Sequence, residues 1–159
     1  MKSFIIAFLL FAPPVYKVTL SKAVIEDHKW DRFYTNKNGV HDVETLQVRA
    51  ISFVVTLKND DPNKKIRWSE VEGTLEDEHG NTYDPVEVAP QFRKDCGETE
   101  KPKPSLYPGD SVVRVLSFEP PILNCQELTL KVAGGEIKIP CVNGRPVQRK
   151  VKPADVPRN

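Results

Sequence analysis

Three histidines, three cysteines and one acidic turn are the residues of this 159-residue chain whose types could carry chemistry. His28 and His41 fall in a polar stretch, and His79 sits at the apex of a turn. None stands two or four residues from another, the spacing that seeds a metal site on one face of a strand or helix. They read as solvated loop residues. A hydrolase needs a nucleophile with a base in reach. No Gly-x-Ser-x-Gly is present, and the serines fall on strands or in turns. Asn59-Asp60-Asp61-Pro62-Asn63, with Asp77 and Glu78, offers oxygen ligands of the kind calcium takes. It lacks the glycine and the distal glutamate of a calcium loop and reads as a solvated turn. The sequence therefore predicts no catalytic residue, no metal and no cofactor.

Cys96, Cys125 and Cys141 are an odd number without Cys-x-x-Cys spacing, which removes zinc and thioredoxin-like readings. In an oxidising compartment, one disulfide with one thiol left over is expected. Trp30, Phe33 and Tyr34 cluster with Lys29, Asp31 and Arg32. Aromatics beside charges have the composition of a binding surface. They suit equally well a plug for one open end of a β-structure. Trp68 reads as a core aromatic.

Lys2 precedes an uncharged apolar run from Phe4 to Ala12. This matches the cationic and apolar regions of a signal segment, assigned to residues 1–13. The run is too short to span a bilayer of ~30 Å as a helix. Export to the periplasm, cell surface or medium is expected, with no spanning segment in the mature chain. The formal net charge of +1 gives no electrostatic case for nucleic acid. Residues 144–159 form a basic tail, read as flexible.

Between these ends, period-2 alternation recurs and helical periodicity is hard to find. Tyr16, Val18 and Leu20 begin a first strand, and residues 27–45 read as a loop with at most a short irregular strand. Ile51, Phe53, Val55 and Leu57 make the strongest strand, and Val54 points to partial cover on its second face. A third strand runs from about Ile66 to Glu76. A three-residue loop of Glu78, His79 and Gly80 then sets Leu75 opposite Tyr83, with Gly80 left-handed. Residues 87–108 read as a long loop closed by a turn at Tyr107-Pro108-Gly109-Asp110. Val112 to Phe118 form a strand that Pro120-Pro121 stops.

The last hairpin, with Gly134 and Gly135 as its turn, pairs Val132 with Ile137, Leu130 with Ile139 and Leu128 with Cys141. That ladder puts Cys125 ~10 Å from Cys141, beyond the ~7 Å that a disulfide allows between Cα atoms. A Cys96–Cys125 bond is therefore predicted, with Cys141 a buried thiol and Cys96–Cys141 as the alternative. About seven short strands over residues 14–143 indicate an all-β antiparallel sandwich or barrel.

The ordered set Val54-Val55-Thr56-Leu57-Lys58-Asn59, Leu75-Glu76-Asp77, Gly80-Asn81-Thr82-Tyr83, Leu106-Tyr107-Pro108-Gly109-Asp110, Phe118-Glu119-Pro120-Pro121 and Ile137-Lys138-Ile139-Pro140 has a further implication. It resembles a family of bacterial envelope domains of unknown function, in the superfamily of a secreted mycobacterial immunoprotective antigen. The resemblance covers about residues 46–140. It implies an immunoglobulin-like antiparallel β-sandwich and an exported module, and it transfers no catalytic residue. The expected function is a non-enzymatic binding module of the cell envelope, with an envelope protein or cell-surface ligand as partner. A purely structural accessory domain is the alternative. Its predicted surface joins the 27–45 and 87–108 loops, because function tends to sit on loops held by a rigid scaffold.

Overall fold

A computed structural model describes residues 16–67, 72–98 and 105–147. The signal segment 1–13, Trp68 and residues 148–159 of the tail lie outside the described residues. The protein is all-β with antiparallel sheets and one short helix among these residues.

β1 (Tyr16–Thr35) and β2 (His41–Asn59) form one long hairpin, and β7 (Ser111–Phe118) pairs with the inner half of β2. The second sheet runs in the order β10 (Arg145–Pro146), β9 (Gly135–Val142), β8 (Glu127–Val132), β4 (Gly73–Asp77), β5 (Thr82–Tyr83). β3 (Ile66–Arg67) and β6 (Ser105–Leu106) make a small third pair. Arg145 and Pro146, assigned by sequence to the tail, thus pair with β9.

The two larger sheets face each other across one core. Ile51, Phe53, Val55 and Leu57 from the first meet Leu75, Leu128, Leu130, Val132 and Ile139 from the second. Their alternation along each strand is what turns them to a common side. β1 keeps to this pattern through a bulge at Ser21. The extra residue resets the alternation, so Val18 and Leu20 before it and Ala23 and Ile25 after it all point inward. Ser21 donates its hydroxyl to the Val54 carbonyl at 3.0 Å.

The opposite face of β2 is also buried, at Ala50, Ser52 and Val54, as Val54 suggested. The segment from Asp84 to Glu98 supplies part of the cover. Within it, α1 (Pro90–Asp95) starts on a proline at its first turn. It ends in a paired cap, with Gly97 N–H to Lys94 O and Glu98 N–H to Arg93 O. That cap delivers Glu98 to the edge of β7 opposite β2. There its carboxylate accepts the Val115 N–H at 2.6 Å and pairs with Arg93 at 2.8 Å and Arg114 at 3.1 Å. The 87–108 loop expected from sequence therefore contains a helix and a strand.

The Leu75–Tyr83 register is as predicted, with Gly80 at φ 82°. Its turn is held by Asp77. One carboxylate oxygen accepts the His79 and Asn81 N–H groups, and the other accepts the Asn81 amide and the Tyr83 hydroxyl at 2.7 Å. Burial by itself would raise the Asp77 pKa. The hydrogen bonds from Asn81, Tyr83 and His79 outweigh it and hold the carboxyl at about 2. The same pairing, added to burial, pushes Tyr83 up to about 12.

The last hairpin corrects the sequence reading. Its turn is Ala133-Gly134, both at positive φ (50° and 78°), so Leu130 pairs with Ile137 and Leu128 with Ile139. The ladder is displaced by two residues from the expected one. A two-residue slip leaves every side chain on its original face, so apolar alternation could not distinguish the two registers. The cysteines follow from the correction. All three are free thiols. The expected Cys96–Cys125 bond is not formed, because Cys96 ends α1 beside Lys22 and Glu26 while Cys125 belongs to the core between the sheets.

Ala133→Asn relieves a left-handed alanine and should stabilise the fold by about 0.5–1 kcal/mol in urea titrations. Gly135→Thr should be tolerated, since a β-carbon there meets only ordinary contacts. Severe destabilisation by Gly135→Thr would favour a Gly134-Gly135 turn instead. Asp77 ionises more readily in the folded state, so it stabilises the fold above its ordinary pKa of 3.8, and this is lost as pH falls toward 2. Asp77→Asn should cost about 2 kcal/mol at neutral pH and flatten the urea midpoint between pH 4 and pH 2, each measurable by tryptophan fluorescence.

Candidate functional site

β7 ends its pairing with β2 at Ile51↔Phe118. Beyond that point, Glu26–Thr35 and His41–Ala50 pair only with each other among the described residues, from Glu26↔Ala50 to Thr35↔His41. At 3.3–3.4 Å per residue this two-stranded arm is ~30 Å long. Residues 27–45, expected to be a loop, are thus two ordered strands with a short turn.

That turn repeats the chemistry of the Asp77 turn. Asn36 Oδ1 accepts the Asn38 and Val40 N–H groups, each at 3.0 Å, and Gly39 takes the left-handed position at φ 76°. The strands are joined by cross-strand side-chain pairs, Arg49–Asp27 at 3.1 Å and Thr45–Asp31 at 2.8 Å. Such exposed pairs contribute only ~0.2–1 kcal/mol each. An isolated two-stranded hairpin is marginal in water, so the inner part of the arm leans on the body. Arg32 pairs with Glu87 at 2.5 Å, and the His28 ring meets Phe92 of α1 edge-on at 4.6 Å. These two contacts join the 27–45 segment to the 87–108 segment.

The three predicted binding aromatics all lie on the arm, but they do not form one surface. Alternation sends Trp30 and Tyr34 to the face of His28, and Phe33 to the opposite face beside its partner Val43. Trp30 is half-buried, opposite Leu46. Phe33 is 78% exposed and Tyr34 42%, so neither plugs an end of the body. Val40 and Val43, not singled out from sequence, are also exposed and complete an apolar tip. The signal that could have found the arm was Asn36-x-x-Gly39, the same pattern as Asp77-x-x-Gly80.

The remaining candidates are occupied by structural roles. His28 is buried rather than solvated, and its Nε2 has no hydrogen-bond partner among the described residues. Burial lowers its pKa from 6.5, against the opposing pull of Glu26 and Asp27. In the acidic turn, Asp61 Oδ1 accepts the Asn63 and Lys64 N–H groups, and Asp60 pairs with Lys58. Asn59, fully buried, donates to the Lys64 and Leu106 carbonyls. A groove of about 360 Å³ along β7 is lined by Gly73, Pro85 and Leu116, beside Arg93 and Arg114. Both guanidinium groups already pair with Glu98.

No protein family, curated protein or solved structure matches the chain. Among the described residues, no helix is long and apolar enough to cross a membrane.

The buried imidazole gives a direct check on how the arm is seated. Folding favours neutral His28, so its contribution falls as pH drops below the ordinary histidine value of 6.5. Proton NMR titration should place the His28 midpoint below 6.5, and Phe92→Ala should move it upward. An unchanged midpoint in that variant would show that α1 does not shield the ring.

Proposed function

We propose that the chain is an exported, non-enzymatic interaction module of the cell envelope. In this reading an immunoglobulin-like sandwich is the rigid body and the β1–β2 arm is the contact element, with an envelope protein as its partner. The observation that carries the proposal is the arm tip. Phe33 and its cross-strand partner Val43 are exposed on one face near the end of a two-stranded projection, with Val40 exposed beside the turn and Tyr34 on the other face. Exposed apolar clusters of this kind mark interaction sites, whereas single exposed residues carry no such meaning. Aromatic anchors on a rigid scaffold also lose little entropy on binding. The ordered motifs that resemble exported envelope domains, and the cationic, apolar start of the chain, support the compartment.

The test uses a photo-crosslinking amino acid at position 33, with position 136 as control. Glu136 is exposed beside the Ala133-Gly134 turn, at the end of the body remote from the arm tip. Full-length chains are expressed in the native host and irradiated. An adduct with a second protein in the envelope fraction from position 33, and none from 136, is the expected result. No adduct, equal adducts from both positions, or an adduct only with a second copy of the chain would overturn the reading. Phe33→Ser should change stability by less than ~0.5 kcal/mol, which separates loss of binding from loss of fold.

A further inference from the structure

The corrected register brings together two thiols that the expected register held apart. Glu127 faces Pro140, and one step further the Cys141 N–H donates to the Gln126 carbonyl at 2.7 Å. Strand alternation would then turn Gln126 inward, yet Gln126 is exposed and Cys125 is buried. The chain kinks here because Glu78 accepts two successive N–H groups, from Gln126 at 2.8 Å and Glu127 at 3.1 Å. A tight turn, Cys125 N–H to Ile122 O at 3.1 Å, fixes the other side. Cys125 therefore enters the core diagonally across from Cys141, and both belong to the same cluster. Residues one step off a directly opposed pair have Cα atoms ~6 Å apart, inside the range a disulfide spans.

We propose that Cys125 and Cys141 are a native-state thiol pair that a low-molecular-weight disulfide converts into an intramolecular disulfide. A groove of about 530 Å³ opens over both residues, rimmed by Leu123 and Val142, and gives such a reagent an approach. In the first step the Cys141 thiolate attacks one sulfur of the reagent, and one reagent thiolate leaves. In the second, the Cys125 thiolate attacks the Cys141 sulfur of the mixed disulfide and expels the second reagent thiolate. Two protein thiols are oxidised, one reagent disulfide is reduced to two thiols, and the two cysteine protons pass to the leaving thiolates.

The order of attack has a physical basis. Burial raises both thiols, but the hydrogen bond between them draws Cys141 back down. Burial together with the Cys141 neighbour pushes Cys125 up to about 12. Cys141 is also the more accessible of the two, 6% exposed against 1%. Cys96, on the far side of the first sheet, has no thiol partner of this kind. This exchange needs only the folded chain in solution, neither its export nor the arm.

The experiment exposes reduced, folded wild-type protein and its Cys96→Ala variant to oxidised glutathione at mildly alkaline pH. Peptide mass spectrometry without reduction follows. The expected product in both proteins carries a linked Cys125–Cys141 peptide, shows a raised thermal midpoint, and reverts when dithiothreitol is added. A persistent glutathione adduct without the link, no reaction, or a link that forms only in urea would overturn the proposal.

Discussion

Among the described residues, β2 is paired on both edges from Ile51 to Lys58 and on one edge only from His41 to Ala50. That single difference divides the molecule. Where β7 runs alongside, β2 is the centre of a three-stranded sheet and is buried on both faces from Ile51 to Val55. Where β7 stops, the sheet narrows to a two-stranded arm whose tip faces solvent. After β7 the Glu119 N–H goes to the Asp84 carbonyl, and Pro120 and Pro121, which follow, have no N–H to continue the ladder. The arm therefore exists because its neighbour ends early. The outer face of the arm is seated on the body by Arg32 on Glu87 and His28 on Phe92.

The same local chemistry closes two very different hairpins. Asn36 and Asp77 each accept N–H groups two and four residues ahead, with glycine at the left-handed position between them. At Asp77 the turn is packed against the core, Tyr83 adds a fourth hydrogen bond, and the carboxylate is held strongly ionised. At Asn36 the turn is in water and only the loop is organised. Identical turn chemistry thus serves a stability element in one place and the end of a projecting contact element in the other.

Most of the carboxylates and amides in the turns and loops hold the architecture together. Asn59 and Asp61 organise the turn after β2, Glu98 caps the β7 edge, and Glu78 holds the kink that turns Cys125 inward. Each carboxylate or amide satisfies backbone donors that would otherwise be left unpaired in a loop or at a strand edge. What stays outside this structural accounting is the apolar arm tip and the thiol pair.

The sequence by itself determined the all-β class, the inward set from Ile51 to Leu57, the Leu75–Tyr83 register and the stop after Phe118. All of these are local matters of alternation, left-handed glycine and missing N–H groups. It could not decide between two registers of the last hairpin, because a slip of two residues preserves every face. Only the left-handed pair Ala133-Gly134 separates them, and with them the separation of Cys125 and Cys141. It also could not show that residues 27–45 are strands, since an arm with water around its tip has no buried face to impose alternation. Nor could it find α1, six residues long and without a period of its own. The tertiary structure decided these points, because each rests on what a distant segment covers or leaves uncovered.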